Sequence, residues 1–332
     1  MNPLQSSISP SLPEPSPSAA GLRHLPLPLF SVPMGLGGLA MTWREASVML
    51  GAPSAIGEGL MLATGIFWCI IFIGHVLRVV RHPEALVSDL KHPIRSAFAG
   101  GLSIGLMIIA GGLVPYAAGP AAAIWGLAVA IHLMIGAYIV RSLLVSPREA
   151  ATLTPPLLLP LVGNVLAPVI GAKLGFMTLS WMLFGLGALL WIIVQPLILY
   201  RISTGPILPA KMWPGLVILL APPAVGSLAL SLLTDGFGPG PLAIYGYGVL
   251  IAAVMLLLVP KFRTVPFSMS WWGYTFPSAA FATASMKASH SHPFPLMTPV
   301  LWLLVGFVSL VVAFVFGATV KAFLSGNLLL PE

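Results

Sequence analysis

Residues 271–285 read WWGYTFPSAAFATAS, and no charge falls between Trp271 and Met286. Pro277 stands in the middle of this run, followed by a file of Ser, Ala and Thr. A proline inside a helix removes one backbone hydrogen bond and imposes a bend. In a bilayer that is tolerated only where the freed carbonyl is buried in protein or faces a water-filled cavity. Whether this stretch crosses a membrane therefore decides how the rest of the chain is read.

Composition answers that question. Of 332 residues, 58% are hydrophobic and 7% charged, with a mean hydropathy of +1.01, whereas a soluble domain carries about a quarter charged residues. This is the composition of a membrane protein. A hydrocarbon core about 30 Å thick takes about 20 residues of helix. Apolar stretches of that order cover residues 26–43, 55–80, 96–115, 119–145, 156–173, 176–200, 213–233, 242–260, 270–286 and 296–324. They lack the alternation of barrel strands. The expectation is an all-α integral membrane protein with ten transmembrane helices.

Residues 1–25 are rich in Pro and Ser and lack the basic start and apolar core of a signal peptide. They read as a disordered cytoplasmic tail, residues 26–324 as one ten-helix domain, and residues 325–332 as a second short tail. Cys69 is the single cysteine, which excludes an intrachain disulfide; it is expected to pack in the core.

With ten spans both termini share a side. Twelve of the fifteen basic residues fall on that side, and only Arg44, Lys173 and Lys287 on the other. The positive-inside rule makes the termini cytoplasmic. Five acidic residues accompany the twelve, and Glu45, Glu58 and Asp235 balance the three. The net charge of +7 therefore faces the cytoplasm. Topology alone accounts for such an excess, but it also concentrates anions at an inner mouth, where Arg95 and Arg263 are the candidates.

The spans fall into two alternating kinds. Even-numbered ones are long and bulky. Odd-numbered ones are shorter and interrupted, as in FSVPMGLGGLAMTW, PPLLLPLVGNVLAP and LAPPAVGSLALS. Their spacing suggests five helical hairpins in series. Pro33, Pro160, Pro222 and Pro277 lie inside odd spans, while the third has AGGLSIG in place of an interior proline. Small residues let backbones approach closely or leave room for a conduit. The expected arrangement is an inner ring of odd helices, bent by proline, within an outer ring of even helices. Its expected lining is Pro33, Gly37, Gly101, Pro160 and Gly163, continued by Pro222, Gly226, Pro277, Ala279 and Ala280. Tight helix packing is the competing use of the same residues.

The strings FSVPMGLGGLA, SDLKHPIRSAF, LPLVGNVLAP, LAPPAVG and WWGYTFPSAAFATAS resemble the superfamily of tellurite-resistance protein TehA, plant slow anion channels and fungal malate permeases. The resemblance runs from about Pro26 to Phe323. It implies quasi-fivefold hairpins, a central pore in each protomer, a homotrimer, and a ninth-helix phenylalanine that occludes the pore, which the motif places at Phe276.

Other candidates carry less. His75, His132 and Glu58 are ionisable residues in even spans, where a neutral, hydrogen-bonded histidine is the expected state. Asn164 and Ser278 could offer polar contacts on the path or bonds between helices. Two histidines at His290 and His292 make a poor metal site, and no Walker-type, HExxH or GxSxG motif occurs. The chain reads as no enzyme, with no cofactor and no metal. The expected function is passive conduction of small anions such as chloride or nitrate. The alternative is a proton-coupled carrier of a C4-dicarboxylate or of an oxyanion such as tellurite or sulfite. Expected partners are these anions, membrane lipid and further copies of the chain, without nucleic acid, and the expected site is a bacterial inner membrane.

Overall fold

In the computed structural model, residues 21–146 and 148–330 are described, and they contain helices and no strands. Two kinds of helix are present. The long ones are α2 (Ser54–Arg81), α5 (Ala118–Val145), α8 (Met177–Thr204), α10 (Pro239–Phe262) and α12 (Met297–Leu324). The short ones are α1 (Ser31–Met49), α4 (Gly100–Leu113), the pair α6 (Leu158–Val162) and α7 (Ala167–Gly171), α9 (Ala221–Leu233) and α11 (Thr275–Ser291). A surface helix, α3 (Pro83–Lys91), follows α2.

Burial separates the two kinds. Helix α1 buries 12 of 19 residues and α11 buries 11 of 17. By contrast α2 buries 5 of 28 and α12 buries 6 of 28. The buried segments touch one another in the cyclic order α1, α4, α7, α9, α11, and α11 closes on α1. Each long helix packs on the short segment that precedes it in the chain.

Seven segments are long and apolar enough to cross a membrane by themselves. The expectation was ten, and the shortfall falls on α1, α11 and the broken segment from Pro155 to Gly171. All three are wrapped by protein, so their surfaces need not match lipid. Helix α11 is built from Ser, Ala and Thr, and α1 runs on to Met49, taking Arg44 and Glu45 into its last turns. Glu45 thus lies inside the last turns of a buried helix.

The prolines act differently from the expected mid-helix bend. Each buried segment begins in 3-10 helix, at Leu27–Phe30, Arg95–Ala99, Pro155–Leu157, Ala210–Leu220 and Met269–Tyr274, and then turns α-helical. Pro33, Pro160, Pro222 and Pro277 all fall in the first turn of the α part. An N–H there has no acceptor four residues back within the helix, so proline removes no α bond. The second buried segment makes the same change of helix type at Ala99 and Gly100 without a proline. Nor do interior prolines mark only the buried segments, since Pro196 lies inside exposed α8. What distinguishes the two kinds is burial.

One polar cluster fixes α1 against α11. Thr42 Oγ1 lies 3.0 Å from the Gly38 and Ala279 carbonyl oxygens and 3.1 Å from Thr283 Oγ1, which ties α1 to α11. Gly38 permits that approach, because a Cβ there would stand 3.1 Å from both Ala279 Cβ and Phe276 Cδ2. Near the chain ends, buried Arg78 donates to Asp89 Oδ2 at 2.7 Å and to the Arg23 carbonyl at 2.8 Å. Gly21 N–H donates to the Leu329 carbonyl at 3.2 Å, so both ends of the described chain lie together. The tail expected over residues 1–25 is described only from Gly21, where Leu22–His24 form a 3-10 turn; residues 1–20 and 331–332 lie outside the described residues. Cys69, expected in the core, is exposed on α2.

Candidate functional site

Two part-open cavities lie among the buried segments. A narrow one, about 50 Å³, lies among the first turns of the buried helices, with Ser31 and Met34 of α1, Phe98, Pro222 of α9 and Pro277 of α11 in its wall. At roughly 10–15 Å³ for each water on this measure, it has room for a few water molecules. Ser31 supplies its one polar side chain.

The second cavity is about 590 Å³ and lies among the C-terminal ends of the same segments. Arg44, Glu45, Lys173, Asp235, Lys287 and His290 line it, together with apolar residues. Phe276, Leu166 and Val225 appear in the walls of both cavities. Phe276 is only partly buried, and no ring stacks on it among the described contacts. Phe281, one turn on, differs: it stacks on Tyr245 with ring centroids 5.5 Å apart.

The expected lining residues divide. Gly163, Pro222, Pro277 and Phe276 line the narrow cavity, and Ala280 and Phe276 line the wide one. Pro33, Gly37, Gly101, Pro160, Gly226 and Ala279 line neither. Gly37 faces Ile108 and Thr64, Gly101 faces Phe30 and Met34, and Gly226 faces Ile244. These positions serve close helix contact. Arg95 lies at the surface with Nε 3.4 Å from Asp89 Oδ1, and Arg263 is exposed at the end of α10. Neither lines the two cavities.

Other polar candidates have neighbours, though His75 Nε2, His132 Nε2 and Asn164 Oδ1 make no hydrogen bond among the described residues. Ser278 donates to the Tyr274 carbonyl at 2.7 Å, and Asn164 donates to the Leu161 carbonyl at 3.3 Å. Glu58 accepts two hydrogen bonds from Arg44, at 2.9 and 2.6 Å. His75 stacks on Phe30. His292 Nε2 lies 2.8 Å from the Phe237 carbonyl oxygen. His132 is wholly buried, with Nδ1 2.8 Å from Ser103 Oγ and no partner at Nε2. A Cβ at Gly163 would stand 2.9 Å from that Nε2, so the imidazole abuts the bare backbone of a residue in the narrow cavity wall.

The charges of the wide cavity were not foreseen as a group. Lys287 Nζ lies 2.7 Å from Glu45 Oε1. Arg44 is engaged by Glu58 and also donates to the Gly112 carbonyl at 3.0 Å. Lys173, in the link between α7 and α8, has no hydrogen bond or ion pair among the described residues. Its side chain still reaches solvent, so the lowering of its ammonium by partial desolvation, with Lys287 and Arg44 pushing the same way and Glu45 opposing them, is tempered by water. Only their common place near helix ends, far apart in sequence, could have suggested the grouping.

A helical membrane protein whose buried segments surround part-open cavities is the class these features define. Residues 24–320 match the family profile described as SLAC1, voltage-dependent anion channel, and the chain belongs to this family of anion channels and transporters. It is 24% identical over 277 residues to the S-type anion channel SLAH2 of Arabidopsis thaliana, covering 81% of this chain and 53% of that one. It is likewise 24% identical over 280 residues to a tellurite resistance protein TehA homolog of Haemophilus influenzae, covering 81% and 82%. An uncharacterized transporter of Methanocaldococcus jannaschii is 24% identical over 282 residues, covering 77% and 81%. The chain spans about half the length of the plant channels it matches, 53% of SLAH2 and 43% of SLAH3.

Proposed function

We propose that the protein conducts small anions such as chloride or nitrate passively, along a path joining the wide and narrow cavities, with Phe276 as the gate. The observation that carries this reading is that Phe276 stands in the walls of both cavities. An apolar ring in a constriction excludes water, and a change of rotamer readmits it. Anions, not cations, suit the narrow cavity among the first turns of α1, α9 and α11. No carboxylate lines it. On this reading Gly163, Pro222, Pro277 and Ala280 line the conduit, and Arg95 and Arg263 gather anions at the inner mouth. The buried segments and long helices make ten crossings as five hairpins, three copies assemble, and both termini lie on the cytoplasmic side of a bacterial inner membrane.

The test is chloride current through purified protein in planar bilayers. Phe276→Ala should fold as wild type does and conduct at least about tenfold more, equivalent to about 1.4 kcal/mol off the barrier. Unaltered current from a well-folded Phe276→Ala protein would overturn the gate.

One observation favours a second reading, a proton-coupled carrier of a dicarboxylate or another oxyanion. His132 places an unpartnered imidazole nitrogen against Gly163 of the narrow cavity, and coupling needs a protonatable group beside the path. Anion flux driven by a pH gradient, without conductance and abolished in His132→Gln, would select the carrier.

A further inference from the structure

We infer that the wide cavity is a binding site for a doubly charged oxyanion, bridged between Lys173 and Lys287, with Glu45 as a built-in competitor. The inference rests on the proposed anion path only for the site's place along it; the binding itself does not depend on conduction. Three observations converge. Lys173 lines a cavity of about 590 Å³ with no ion-pair partner of its own. Lys287 lines the same cavity and holds Glu45 at 2.7 Å, yet Glu45 Oε1 makes no hydrogen bond of acceptable geometry. Arg44, the third cation, commits three of its five N–H donors to Glu58 and the Gly112 carbonyl, and its charge is paired with Glu58.

The chemistry follows from this distribution. Two ammonium groups line the cavity, Lys173 being sensitive to Lys287, and of the two carboxylates in its wall only Glu45 is paired with one of them. An oxyanion with two charges and several oxygens accepts from both ammonium groups, and charge-assisted hydrogen bonds are the strong ones. A monovalent halide satisfies one ammonium and leaves the other with Glu45. As a dianion seats itself, Glu45 gives up Lys287, so its carboxylate sets a threshold that favours divalent over monovalent anions. Asp235 and His290 also line the cavity, and Asp235 adds a second carboxylate to its wall besides Glu45. Phe276 forms part of the same wall, which places the site directly before the proposed gate.

The test uses sulfate as the dianion and chloride as the monovalent control, at matched ionic strength, with the whole protein in nanodiscs. Wild type should show a saturable rise in Tm with sulfate and none with chloride. Lys173→Gln should weaken sulfate binding about tenfold or more, the loss of one hydrogen bond to a charged group. Glu45→Gln should tighten it by a similar factor, an opposite sign that damage to the fold would not produce. A response that does not saturate, that survives Lys173→Gln unchanged, or that weakens in Glu45→Gln overturns the inference. Chloride current through Phe276→Ala separates this outcome from the function above. Sulfate binding without current refutes the channel alone, and current without saturable sulfate binding refutes the site alone.

Discussion

Phe276 and Phe281 stand five residues apart on α11 and in different surroundings. Phe276 faces both cavities, whereas Phe281 is stacked on Tyr245. Truncating Phe276 to Ala should raise chloride current, and Phe281→Ala should leave it close to wild type while lowering Tm through lost packing, about 3 kcal/mol for a large aromatic. Equal currents in both variants would assign the constriction elsewhere. Lys173 provides a pH signature. Its ammonium is held below the usual lysine range, chiefly by desolvation, then by Lys287 and Arg44, against Glu45. With the folded value depressed, the unfolded chain binds more protons between the two values, so this residue adds stability as pH rises through that alkaline window. Sulfate binding should show the reverse trend, weakening as pH climbs and the ammonium is lost. It should begin to fail below the pH at which a lysine of the unfolded chain deprotonates, and Lys173→Gln should remove that early loss.

Among the elements, α3 and the start of the second buried segment are joined by one carboxylate. Asp89 is bound to buried Arg78 at 2.7 Å and lies 3.4 Å from Arg95. Removing one member of a buried pair leaves an uncompensated charge. Asp89→Asn should therefore lower thermal stability by about 3–5 kcal/mol, although Asp89 touches neither cavity. The same pairing tempers Arg95 as an attractor of anions, because its charge is shared with Asp89. Arg263 is exposed and without an ion pair among the described residues. Arg263→Gln should reduce conductance at low salt more than Arg95→Gln does, and the difference should fade as salt shortens the screening length. On α11 itself, neighbouring alanines separate lining from packing. Ala280 borders the wide cavity, while Ala279 is fully buried against α1. In a Cys69→Ser background, Ala280→Cys should react with a small water-soluble thiol reagent and Ala279→Cys should not.

For the whole molecule, the five exposed helices form an apolar exterior and the five buried segments an interior of small residues. The hydrogen bond between Gly21 and Leu329 brings the described ends to one face, the face on which the narrow cavity opens the buried segments. The wide cavity lies at the opposite ends of those segments. Tags on the two termini should thus be cleaved by protease from the same side, while sulfate should block current from the other side. Cleavage of the two tags from opposite sides would remove the even number of crossings.

The sequence by itself determined the class. A chain with 58% hydrophobic and 7% charged residues cannot build a water-facing surface, and runs of about 20 apolar residues have few stable forms other than membrane helices. It also exposed the alternation of bulky and small-residue segments, because lipid-facing and protein-facing helices need different side chains. It did not reveal what each small residue does. Gly37 and Gly163 look alike in sequence, yet one accommodates Ile108 and the other sits between His132 and a cavity, since rotation about the helix axis is set by neighbouring helices. Local sequence also missed the 3-10 openings, which depend on how five helix starts crowd together. The grouping of Glu45, Lys173 and Lys287 was illegible for the same reason. Residues more than a hundred positions apart share a cavity only when the ring closes, and whether a lysine there has a partner is decided by tertiary distance alone.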